Sequence, residues 1–138
     1  MKTILVLEDE PSLLNLLHRV LTRHGYTVLE ALSPDEAVRQ FSNSDRQIDL
    51  FIADVSLPGV SGVHIAVLLR SELPDLRVIL TSGYPSNAWN SRDTGYLRRL
   101  GSDSVDILLK PFAPETLLNA IRGMIGASAS ESLDARTA

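Results

Sequence analysis

Short, continuously apolar runs alternate along this chain with stretches in which apolar residues recur every three or four positions. Residues 4–7, Ile-Leu-Val-Leu, form the first run, as expected of a strand covered on both faces. Leu13, Leu16, Leu17, Val20 and Leu21 then fall on one face of a helix that Pro11 opens and Gly25 ends. Residues 26–31 predict a second strand, less apolar and nearer an edge of the sheet. Ser33-Pro34-Asp35-Glu36 predicts a capped helix start, with Ala37, Val38 and Phe41 on the buried side. Residues 49–53 predict a third strand. Residues 57–62 predict a loop, and Val63, Ala66 and Val67 begin a third helix reaching about Glu72. Pro74-Asp75 turns the chain into a fourth strand over residues 76–80. A fifth covers 105–109, and Leu117, Leu118, Ile121, Met124 and Ile125 line a last helix.

The segment 84–103 breaks the pattern. Pro85, Asn87, Asn90, Gly95 and Gly101 interrupt it, and only Trp89, Tyr96, Leu97 and Leu100 offer burial. One helix is expected there, short, irregular or mobile. Residues 127–138 are small, polar and aperiodic, which predicts a disordered tail after one domain over residues 1–126. Five strands alternating with helices imply an α/β fold with a five-stranded, mostly parallel sheet and helices on both faces.

Composition narrows the function classes. The 138 residues suffice for one domain with a real core. Thirteen Lys and Arg against seventeen Asp and Glu give a net charge of −4 and no basic stripe, which argues against nucleic-acid binding. No cysteine is present, so disulfides and zinc thiolate sites are excluded. Four apolar residues before Glu8 are too few for a secretory core, and no run approaches membrane-spanning length. A cytoplasmic protein is expected.

Four apolar runs end in polar residues. The first leads to Glu8-Asp9-Glu10, the third to Asp54, the fourth to Thr81-Ser82-Gly83 and the fifth to Lys110-Pro111. In a parallel sheet these ends share the edge where ligands bind. An acidic pair, a lone Asp, a hydroxyl and an ammonium there could hold a divalent cation and a phosphoryl group. Each also has a plainer reading. Acidic residues favour the N-terminus of a following helix, and Asp or Thr after a strand is often a cap.

Leu-Glu-Asp-Glu-Pro, Asp-Val-Ser-Leu-Pro-Gly-Val-Ser-Gly, Thr-Ser-Gly-Tyr and Lys-Pro-Phe, in this order, resemble the receiver domain of two-component response regulators over about residues 3–125. The resemblance implies a flavodoxin-like receiver fold with strand order 2-1-3-4-5. It makes Asp54 the phosphoacceptor. Mg²⁺ would be held by Asp9 directly, by Glu8 through water, by Asp54, and by the backbone carbonyl of Ser56. Thr81 and Lys110 would contact the phosphoryl group, with a cis bond between Lys110 and Pro111. The implied donor is a histidine kinase or a histidine phosphotransfer protein, and the output is protein–protein contact.

Two features depart from the family pattern. Receivers usually carry Tyr or Phe three residues before the strand-five lysine, where this chain has Ile107. The stretch from Thr81 to Lys110 is also several residues longer than usual. A phosphorylation-independent binding module with the same fold is therefore the competing reading. A hydrolase with an aspartyl nucleophile would put Asp-x-Asp after strand one, where this chain reads Glu8-Asp9. Flavin binding lacks its phosphate loop. His18, His24 and His64 fall on predicted helices and are expected to do no chemistry. No output domain is expected after Gly126, and the receiver would stand alone or derive from a hybrid kinase.

Overall fold

The computed structural model describes residues 2–127. Its elements are β1 (Thr3–Leu7), α1 (Pro11–Arg23), β2 (Thr27–Ala31), α2 (Pro34–Asn43), β3 (Leu50–Asp54), α3 (Gly62–Glu72), β4 (Arg77–Ser82), α4 (Ser91–Leu100), β5 (Val105–Leu109) and α5 (Pro114–Ile125), with a 3₁₀ turn at Ser86–Ala88 before α4. The strands pair in parallel in the order β2-β1-β3-β4-β5. β2 is an edge strand, as its weaker apolar character predicts. The predicted tail, from residue 128 on, lies outside the described residues. No described helix is long and apolar enough to cross a membrane.

Successive strand side chains face opposite layers. Leu5, Leu7, Phe51, Ala53, Val78 and Leu80 join Ala37 and Phe41 of α2, Val63, Ala66 and Leu69 of α3 and Leu100 of α4 in one cluster. Ile4, Val6, Leu50, Ile52, Ile79 and Leu108 join Leu14, Leu17 and Leu21 of α1 and Leu117, Leu118 and Ile121 of α5 in the other. This parity positions the site. Glu8 follows Ile4 and Val6, Asp54 follows Leu50 and Ile52, Thr81 follows Ile79, and Lys110 follows Leu108. All four continue the α1/α5 side. Ser82 and Ile107 continue the α3/α4 side.

Two residues expected on buried faces are exposed. Val38 is 40% exposed and Leu16 48% exposed. In α2 the inward direction is taken by Ala37 and Phe41, four residues apart, and Val38 lies about a hundred degrees round the helix from Ala37. In α1 the inward face runs through Leu14, Leu17 and Leu21, leaving Leu16 on the rim of a groove against Pro111 and Phe112.

β4 runs two residues beyond its apolar stretch, because Thr81 and Ser82 still pair with Leu108 and Leu109. The interrupted segment forms a ten-residue helix. Asn90 caps α4 by accepting from the Asp93 N–H at 2.8 Å, and Gly101 ends it at φ +79°. Arg70 of α3 donates to the carbonyls of Leu76, Leu100 and Ser104 at 2.9, 2.6 and 3.1 Å, tying the end of α4 to the approaches of β4 and β5.

Candidate functional site

Asp54 is the last residue of β3 and Thr81 lies beside it in the β3–β4 register; both are buried. The Ser56 N–H donates to Asp54 Oδ1 at 3.0 Å, closing a tight turn that fixes the carboxylate at the strand end. The Val55 N–H donates to the Thr81 carbonyl at 2.9 Å, so the loop after Asp54 is tied to β4. Gly62 brings the start of α3 against the same turn.

Lys110 Nζ lies 2.9 Å from Glu8 Oε1 and 3.2 Å from Asp54 Oδ2. Glu8 is buried, and its Oε2 accepts from the Glu10 N–H at 3.0 Å. Asp9 is exposed at the mouth. The peptide bond between Lys110 and Pro111 is cis, as the resemblance implies.

Burial pushes the Glu8 carboxyl above the ordinary carboxylate range. The charge of Asp54 adds to this, against the opposing pull of Lys110 and the Glu10 N–H. Burial alone would lower the Lys110 ammonium. Its hydrogen bond to Glu8, with the Asp54 and Glu8 charges, outweighs burial and holds it above its usual value. The lysine is therefore a permanent cation in a site that still has too few.

Glu8, Asp9 and Asp54 each bring a carboxylate oxygen within 4.8 Å of the others. Three carboxylates against one ammonium leave two uncompensated negative charges, which a divalent cation would match. The all-oxygen donor set suits Mg²⁺, with water completing the shell. The chemistry of the donors present thus fits the ion.

The structure brings together Glu8, Asp9, Asp54, Ser56, Thr81 and Lys110. It also ties the site to α4 in a way the strand ends do not announce. Ser61, the cap of α3, donates to Asp93 Oδ1 at 2.7 Å, and one turn on the His64 and Tyr96 rings stack 4.5 Å apart. Asp93 is only 8% exposed. Asn90-x-x-Asp93 is a readable cap signal, but the partner across the helix interface is not readable from it. Trp89, expected to pack or to face a partner, is half-buried, and its Nε1 donates to Ser82 Oγ and to the Tyr84 carbonyl.

In a doubly wound parallel sheet the carboxyl edge of the strands is where ligands bind, and the acidic, lysine-bridged cluster lies there. Residues 4–122 match the family model of the response regulator receiver domain, and the chain belongs to that family. It is 32% identical over 124 residues to the sensor kinase CckA of Brucella abortus, across 89% of this chain and 12% of that protein. It is 33% identical over 116 residues to the response regulator GtcR of Aneurinibacillus migulanus, across 82% of this chain and 43% of that one. The chain thus spans less than half of either relative.

Among solved structures, the response regulator TrrA of Thermotoga maritima in complex with Mg²⁺-BeF superposes with a TM-score of 0.73 at 29% identity, covering 90% of this chain and 99% of that one. The same regulator in complex with the histidine kinase ThkA gives 0.72 at 27% identity, covering 91% and 99%.

Proposed function

We propose that this receiver domain takes a phosphoryl group from a phosphohistidine of a histidine kinase or histidine phosphotransfer protein onto Asp54, and signals by contact with another protein. The observation that carries this reading is the seat of Asp54. One of its oxygens takes the Ser56 N–H, the other faces Lys110, and two further carboxylates stand beside it. A carboxylate so held is a positioned nucleophile.

Mg²⁺ would be held by Asp9, by Asp54, by the Ser56 carbonyl and, through water, by Glu8; when bound it supplies positive charge against the equatorial phosphoryl oxygens. An Asp54 oxygen attacks phosphorus as the P–N bond breaks. The imidazole nitrogen leaves with the electron pair and takes up a proton. Lys110 moves from the carboxylate to the transferred group, and the Thr81 hydroxyl donates to one of its oxygens. Charge neutralisation and alignment supply most of the acceleration in such a transfer. One relative supports the partner and cofactor: TrrA is seen with the histidine kinase ThkA and with Mg²⁺-BeF. A cytoplasmic location goes with this reading.

The test is intact mass after incubation with acetyl phosphate and Mg²⁺. Gain of one phosphoryl group, lost with chelator and in Asp54→Asn, is the expected result. If neither acetyl phosphate nor a histidine kinase produced it, the phosphorylation-independent binding module would replace this reading.

A further inference from the structure

Position 107 of β5 holds an isoleucine, yet an aromatic ring still packs beside the end of β4. It comes from the loop before α4. Ile107, Trp89, Tyr96 and Leu97 all pack against the cluster between the sheet and α2, α3 and α4. Ser82, fully buried at the last position of β4, is the point where that loop is fastened. Its Oγ accepts from the Tyr84 N–H at 3.0 Å and from Trp89 Nε1 at 3.2 Å, while the same indole N–H is shared with the Tyr84 carbonyl at 3.1 Å. Both lone pairs of the serine hydroxyl are therefore taken. The indole itself is held by one proton split between two acceptors, which is a weak attachment.

Either side of this attachment is rigid. β4 is paired on both sides up to Thr81. α4 is fixed independently by Ser61 on Asp93, by the His64–Tyr96 stack, and by Arg70 on its last carbonyl. Residues 83–90 join two fixed bodies, and movement of the β4 end has to be absorbed there. The Trp89 ring borders a cavity of about 420 Å³ lined in part by Ser56, Ser61, Asn90, Arg92 and Asp93. Val55, Leu57 and Val60 also line it, so a ring leaving Ser82 exchanges its seat against the cluster for a mixed, partly polar lining.

We infer that Trp89 is the conformational switch of this receiver, standing in for the aromatic that position 107 lacks. The inference rests on Asp54 being the phosphoacceptor. When the Thr81 hydroxyl is drawn to the phosphoryl oxygen, Ser82 moves with it along the same backbone. The shared indole bond then breaks, and Trp89 turns outward. The surface that changes is the loop 83–90, while α4 and Ile107 stay in place.

Trp89 is the only tryptophan in the chain, so its emission reads the event directly. The experiment follows emission and acrylamide quenching in the full chain while acetyl phosphate and Mg²⁺ raise the phosphorylated fraction, which intact mass measures in the same samples. A red shift and stronger quenching in proportion to that fraction are expected, with neither in Asp54→Asn. Ser82→Ala should start red-shifted and respond little. Mass gain with unchanged emission and quenching would overturn the switch and leave the phosphoacceptor reading standing. So would a Ser82→Ala response equal to wild type. Absence of mass gain from any donor would remove both.

Discussion

Gly62 leaves no room for a side chain beside Asp54. A Cβ there would overlap the Asp54 carbonyl oxygen and stand 2.9 Å from the Ala53 Cβ. Because the obstacle is backbone, no rotamer can relieve it. Alanine in a helix ordinarily gains about 0.5–1 kcal/mol over glycine. Overpacking costs about 1–3 kcal/mol, and here it wins. Gly62→Ala should lower the urea midpoint and slow phosphorylation of Asp54, because the turn that holds the carboxylate must shift. An unchanged midpoint would mean that α3 can slide away from β3 freely.

Among the described residues Lys110 is the one cation between Glu8 and Asp54, so its removal leaves buried carboxylates facing one another. Breaking a fully buried pair costs about 3–5 kcal/mol. The lysine is 24% exposed, and water reduces the loss to about 2 kcal/mol in metal-free Lys110→Met. Mg²⁺ should recover a good part of that loss, since it binds the native carboxylates and not the unfolded chain. Urea curves with and without the ion measure both effects. A deficit indifferent to Mg²⁺ would show that packing of the lysine stem, not charge, is what matters.

Asp9 is exposed and makes little contact with the core, so Asp9→Asn should leave stability nearly unchanged. Its loss as a ligand should weaken Mg²⁺ binding by roughly ten-fold or more, read by calorimetric titration. Equal affinity would reduce Asp9 to a favourable charge at the start of α1.

Ser61 and Asp93 join the starts of α3 and α4 through a part-buried hydrogen bond to a carboxylate. A double-mutant cycle with Ser61→Ala and Asp93→Ala should give a coupling of about 1–2 kcal/mol. Amide exchange across α4 should speed up in each single variant. Additive effects would mean that the stack of His64 on Tyr96 carries the interface by itself.

The strands, the helices of the outer layers and the chemical set at the strand ends were legible because each follows from a local period. Leu50 to Asp54 is apolar until the residue that matters, and the same holds for Ile4 to Glu8 and Leu108 to Lys110. What the pattern hid was non-local. Thr81 and Ser82 belong to β4 through pairing with β5, which polar side chains do not advertise. The interrupted segment 84–103 carries few apolar residues, so it read as irregular. Its helix is held by Asn90, by Ser61 and Arg70 on a neighbouring helix, and by a ring stack, none of which has a period. Leu16 and Val38 failed for a related reason: an apolar stripe wider than the core it serves leaves one edge in solvent.

Strand parity has an evolutionary consequence. Glu8, Asp54, Thr81 and Lys110 meet only because each stands an even number of positions beyond a residue of the α1/α5 layer. Loss or gain of one residue inside β1, β3, β4 or β5 would turn that strand's terminal group to the opposite side of the sheet. The loops enter no such count, and a change in the length of the stretch from Thr81 to Lys110 need not disturb the site. Change in lineages of this chain should therefore arrive as substitutions in strands and as insertions in loops. New signalling surfaces can be grafted beside a reaction centre whose own register stays locked.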